Sequence, residues 1–223
     1  MDLLQIIVEL RHSEPLKLFR PYEELYRSLT EKELTGKAIP LPGFQLNISE
    51  KRMQVVVDPR HTAIVLVDMP TVSYCMDNVM GIFRKISELV ELPPLVRLGA
   101  RSYWIQESEV DFTELVATYK QILYKPTSIV EDSIDVGASF ILRDGKCAAN
   151  VAFGPMELSQ LKTMFVFEPA RLPEVVTFLD VDYYMVMEQT KVSEKILRDF
   201  LSAGLNYAGE QSRRIVSILA KEE

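Results

Sequence analysis

FQLNISEKRMQVVVDP, residues 44–59, sets without a gap against FILRDGKCAANVAFGP, residues 140–155. The alignment brings Phe44 onto Phe140, Leu46 onto Leu142, Val55 onto Val151 and Pro59 onto Pro155. Each stretch reads as two short strands around a turn, ISEKR in the first and LRDGKC in the second, where the Asp-Gly pair suits a tight primed turn. A hairpin written twice suggests a chain written twice.

The flanking sequence extends the match. LLQIIVELRHSEPLKLFRPYEELYRSL (3–29) aligns with PPLVRLGARSYWIQESEVDFTELVATY (93–119), pairing Arg11 with Arg101, Glu24 with Glu114 and Leu25 with Leu115. TVSYCMDNVMGIFRKI (71–86) resembles KVSEKILRDFLSAGLN (191–206) after a further 24-residue slip, enough for an additional strand or hairpin in the second half. Three matches in one order, each on the same kind of element, mark a tandem duplication with repeats over 1–92 and 93–223 that form one compact domain of two pseudo-symmetric halves.

Alternation places strands at 3–11 and 94–105, with Arg97, Arg101 and Tyr103 on one face and Val96, Leu98, Ala100 and Trp104 on the other. Each leads into a helix, the first opened by Ser13 and Pro15, the second by SEVD with Ser108 as cap and Asp111 returning the bond. Meanders follow at 44–49, 52–57 and 62–68, and at 133–143, 147–153, 162–168 and 175–186. Helices over 72–90 and 191–220 close the halves, and ELPP (91–94) breaks the first, because a proline pair cannot continue a helix. The expected class is α+β, β-α-β-β-β-α followed by β-α-β-β-β-β-α, a curved antiparallel sheet with helices on one side. A helix-grip domain, its long last helix lying across a bent sheet over an apolar cavity, is the alternative.

That order resembles the duplicated fold of the TATA-box-binding protein, which implies a concave sheet face left to bind something. It does not carry DNA binding with it, since fold does not set function. VRLGARSYWI, LDVDYY and the long last helix are also similar to a sporadically distributed family of uncharacterised bacterial proteins whose first piece reads Gly-Leu-Arg-Tyr. Gly99, Arg101 and Tyr103 stand loosely in that pattern. This resemblance implies a bacterial protein and brings no activity or site.

A formal charge of -7 opposes nucleic-acid binding, which draws its affinity from Lys and Arg on phosphates. The start lacks a signal-peptide pattern, no apolar run is long enough to span a membrane, and two cysteines make no framework, so a cytoplasmic location is expected. No phosphate loop, nucleophile elbow or metal-ligand spacing appears, so no catalytic residue, metal or cofactor is nominated.

The candidate ligand contacts are Arg97, Arg101 and Tyr103 on one strand with Asp180 and Asp182 on another, guanidinium forks suited to carboxylate or phosphate. His12 is expected in an exposed turn. Trp104 is expected in the core. Asp58-Pro59 aligns with Gly154-Pro155, which makes both structural turns and His61 an ornament of the first. The functional expectation is a noncatalytic interaction module, using a sheet face or edge toward a protein partner or a second copy. A small-ligand binder with its cavity between sheet and last helix is the alternative, and an enzyme ranks below both.

Overall fold

The computed structural model describes residues 1–16 and 44–220. The helix expected after Ser13 falls outside the described residues. In chain order the elements are β1 (Asp2–His12), β2 (Phe44–Ile48), β3 (Met53–Asp58), β4 (His61–Val67), α1 (Val72–Leu89) and β5 (Leu95–Glu107). Then come α2 (Phe112–Leu123), α3 (Ser128–Glu131), β6 (Ala138–Asp144), β7 (Cys147–Glu157), α4 (Leu158–Leu161), β8 (Val175–Thr190) and α5 (Glu194–Leu219).

The architecture is α+β. All eight strands join one antiparallel sheet in the order β2-β3-β4-β1-β5-β8-β7-β6. Read outward from the β1–β5 seam, both halves run first strand, last strand, middle strand, hairpin outer strand. Side chains that alternate along each strand fill one face: Ile6, Val8 and Leu10 from β1, Val55 and Val57 from β3, Leu98 and Ala100 from β5, Leu179 and Val181 from β8. They pack under α1 through Val79, Phe83 and Ile86, and under α5 through Leu197, Phe200, Leu201 and Leu205. Each fully buried Val, Leu, Ile or Phe among these contributes about 1.5–3 kcal/mol relative to exposure. Two closing helices therefore share one face of an open sheet, and the helix-grip alternative does not form.

Side-chain caps set the helix starts. Thr71 accepts from the Tyr74 N–H, and Ser193 from the Ile196 N–H, which satisfies donors that the first turn leaves orphaned. For α2 the cap is Asp111, which accepts from the Glu114 N–H, and not Ser108 as expected. The Ser108 hydroxyl is occupied with the backbone of Val110.

The expected strand at 162–168 is absent, so the second half has no extra strand. β7 and β8 pair directly along eleven positions, which leaves no slot for another strand between them. The extra residues instead make α4 and a loop on the face opposite the helices, where Leu161, Met164, Phe165 and Leu172 join Tyr103, Ile105, Val176 and Phe178 in a second apolar cluster. Arg52 ties this loop across to the first half by donating to the Glu168 carbonyl, and Asp68 accepts from the Ala170 N–H.

The two hairpins differ in their turns. Ser49–Arg52 is a four-residue connection with Arg52 at φ +47, whereas Gly145–Lys146 is a two-residue turn with Gly145 at φ +58. Leu46 consequently pairs with Val55, but Leu142 pairs with Ala149 rather than Val151. A slip of two leaves every side chain on its original face.

Candidate functional site

On the face away from α1 and α5, period-two alternation delivers polar side chains to the middle of the sheet. Glu9 of β1 stands opposite Gly99 of β5, which stands opposite Tyr184 of β8. One step along, Ile7, Arg101, Asp182 and Asn150 form a row; the next is Gln5, Tyr103, Asp180 and Ala152.

Gly99 makes the central contact geometrically available. The Arg97 chain runs back over it, and a Cβ there would sit 3.1 Å from Arg97 Nη1. Lying in that slot, the guanidinium donates to Glu9 at 2.5 Å and to both Asp182 oxygens at 2.9 and 2.8 Å, and it stacks 4.8 Å from the Tyr184 ring centroid. Asn150 adds a donor to Asp182 at 3.3 Å. Arg101 makes a bidentate pair with Asp180, its shortest contact 2.5 Å, and lies over Tyr103 at 5.2 Å.

Glu9 is the hub. It faces Arg11 at 3.0 Å and His61 at 3.1 Å as well as Arg97, and His61 also reaches Asp58 at 3.2 Å. The His61 hydrogen bond, helped by Arg11 and opposed by burial, holds the Glu9 carboxyl down to about 2. Reciprocally, Glu9 raises the His61 imidazole above its ordinary value against the effect of burial.

Four of the five nominated residues meet in this network. Tyr103 touches it only through the Arg101 guanidinium over its ring, which is otherwise buried against Phe165 and Phe178 in the apolar cluster of the α4 loop. Glu9, Asp58, His61 and Asn150 belong to the network without having been nominated. Glu9 was legible as the same-face neighbour of Arg11, whereas only the strand pairing shows that His61 opens β4 opposite Arg11. His61 is therefore more than a turn ornament. With His61 protonated, the network holds four carboxylates, Glu9, Asp58, Asp180 and Asp182, against four cations, Arg11, Arg97, Arg101 and His61. Forks so committed to internal carboxylates bind the strands of the two halves together.

Two other sequence expectations change. His12 is buried as the last residue of β1, not exposed, with Nε2 3.0 Å from the Thr62 hydroxyl, and burial pushes its imidazole down to about 4. Gly154-Pro155 lies inside β7 and not in a turn. Gly154 lets the approach to β6 cross it, since a Cβ would stand 2.9 Å from the Val136 carbonyl oxygen. Pro155 sits beyond Ala138, the first paired residue of β6, and so needs a partner on one side only. Asp58-Pro59, by contrast, does enter a hairpin turn, with His61 starting the next strand. Trp104 packs against the core, half-buried, and donates to Ser102 at 2.9 Å.

Two features on the second half remain open. A cavity of about 510 Å³ lies over β7 and β8, with Ala152, Gly154, Met156, Met164 and Phe178 in its lining and Asp180 at its margin. Beside it runs β6, the outer strand. Ile141 is 77% exposed and Phe140 49%, and the connection before them carries Ile129 at 82% and Ile134 at 89%. Among the described residues, no group of three His, Cys, Asp or Glu is disposed to hold a metal, and no helix is long and apolar enough to cross a membrane.

No family model matches the chain, and no curated protein matches it. Among solved structures it is similar to the Methanococcus jannaschii TBP, at 10% identity over 94% of this chain and 98% of that chain, with a TM-score of 0.30. So loose a superposition transfers no function, and the α+β architecture rests on the strand order described above.

Proposed function

We propose that the protein is a noncatalytic interaction module whose β6 edge accepts an extended segment as a ninth strand. The observation that carries this reading is the exposure of Phe140 and Ile141 on one open outer strand, after a connection that also exposes Ile129 and Ile134. Isolated exposed hydrophobics are ordinary, but a cluster on an unpaired edge is the pattern of strand addition: main-chain hydrogen bonds supply affinity and alternate side chains supply selectivity. The occupant is an extended segment with apolar residues at alternate positions.

The backbone of β6 supports the same reading. Its two-residue turn makes Asp144 and Cys147 the closing hydrogen-bonded pair, and alternation then directs the N–H and C=O groups of Ser139, Ile141 and Arg143 outward. Ile141→Pro removes an outward N–H at a position where an edge strand tolerates proline. Phage-displayed random linear peptides selected on the wild type should lose binding to Ile141→Pro while thermal unfolding stays nearly unchanged. Undiminished binding to that variant would overturn the edge reading.

A second reading, a small apolar ligand, is favoured by the 510 Å³ cavity, a volume in the range of small-molecule sites. Native mass spectrometry of protein purified from its own host tests it: a bound mass that disappears in Ala152→Leu, a substitution in the cavity lining, would place the ligand there.

A further inference from the structure

The outward groups of β6 fall at alternate residues symmetric about Ile141, the middle residue of the strand. We propose that the occupant of this edge is a second copy of the same chain, the two β6 strands pairing antiparallel about a two-fold axis at Ile141; this rests on the edge reading above. In that register Ser139 faces the other copy's Arg143, Ile141 faces Ile141, and Arg143 faces Ser139. Every outward backbone group from 139 to 143 then has a partner.

Side chains agree with this register. On one face Ile141 covers Ile141. On the other, Phe140 of each copy covers the other's Leu142, so both apolar residues that the edge exposes on the helix side are met by apolar neighbours. No like charges stand opposite: Asp144 faces Ala138 and Arg143 faces Ser139.

The Gly137 carbonyl is taken by the Tyr124 hydroxyl, which ends the open edge at Ser139 and leaves the seven-residue strand as the pairing unit.

Closure selects pairing of like edges over pairing of β6 with β2. Pairing β6 with β2 would be head-to-tail and would propagate, whereas β6 with β6 is isologous and stops at two copies. The β2 edge is five residues long and presents Gln45 and Asn47, joined to each other at 3.3 Å, with Gln54 donating to Asn47 at 2.8 Å.

The test is sedimentation of the full chain over a range of concentrations, with variants that separate self-pairing from strand addition in general. The wild type should be a dimer. Ile141→Lys puts two ammonium groups against each other at the axis and should weaken dimerisation by at least about tenfold, with thermal unfolding of the monomer unchanged. A wild type that stays monomeric at every concentration, or a dimer indifferent to Ile141→Lys, overturns self-pairing. A monomer that still selects peptides lost in Ile141→Pro overturns self-pairing while the edge reading stands; a monomer that selects none overturns both.

Discussion

β2 and β6 are the outer strands of one sheet, each the first strand of a hairpin, yet they meet their surroundings differently. In β2, Leu46 and Ile48 are buried in the main core while Gln45 and Asn47 face out, the alternation expected of a half-buried strand. In β6, Ser139, Phe140, Ile141, Arg143 and Asp144 are all exposed. The aligned residues Leu46 and Leu142 therefore occupy the same face of related hairpins but different environments. α2 packs on β7, where Tyr119 meets Phe153 at 6.2 Å, while Phe140 and Ile141 of the outermost strand stay exposed. The lesson is that repeating a topology does not repeat a surface: the two halves share a strand order, yet one outer strand buries its core-side residues where the other leaves them exposed.

The largest effects should separate the two edges by stability. Leu46→Ala should cost about 2–4 kcal/mol in urea unfolding, the range for truncating a buried leucine, and the half-buried Leu142→Ala about 1. Equal costs would mean that the edges are equally covered and would remove the contrast.

The polar seam between the halves offers a second pair. Arg97→Ala leaves Asp182, partly buried, with Asn150 as its one side-chain donor among the described residues and takes from Glu9 one of its three cations, and should cost about 2–4 kcal/mol. Arg101→Ala, a more exposed pair on the β8 side, should cost about 1 kcal/mol or less. Urea unfolding that ranked them the other way would show that the seam is not centred on Glu9.

Acid should act on the first half. His12 is depressed in the fold to about 4 from 6.5, so the unfolded chain takes up its proton first, and stability falls as pH drops from about 6.5 toward 4. Glu9 adds a further loss between about 4.5 and 2, as its low folded value is titrated. His61 has the opposite sign: its raised folded value contributes stability below pH 6.5 that is lost as pH rises through that folded value. His12→Gln should flatten the fall between pH 6.5 and 4, worth about 2 kcal/mol, in denaturant midpoints measured across pH. An unchanged slope would mean that His12 is not the group responsible.

The smallest effect belongs to the exposed edge residues. Ile141→Lys and Gln45→Lys should both leave monomer stability within about 0.5 kcal/mol of wild type. A large loss in Ile141→Lys at low protein concentration would place Ile141 in a core rather than on an edge.

Much of the fold was legible because periodicity reports how a strand will be buried. The alternation of 3–11 and 94–105 located β1 and β5, and the two prolines of ELPP marked the break before β5. The run KTMFVFEP misled because it is apolar without alternating, and an apolar loop packed over Tyr103 and Phe178 has the same composition as a strand. Ser108 and Asp111 are both sound caps by type, and only the backbone path chose between them. The nominated Arg97, Arg101, Asp180 and Asp182 do meet, since residues two or four apart on a strand share a face. Their partners Glu9 and His61 come from β1 and β4, about fifty residues apart, and no local pattern links them.

By itself, then, the sequence determined the eight strands of the sheet, the closing helices, the two hairpin turns and the faces, all of which follow from the identities of residues near one another. Tertiary structure alone decided that Glu9 gathers three cations, that His12 is buried, and that β6 lies open where β2 does not. Those properties depend on which distant segments end up adjacent and how far one element covers another, and such quantities are set by packing across the sheet rather than by local conformational preference.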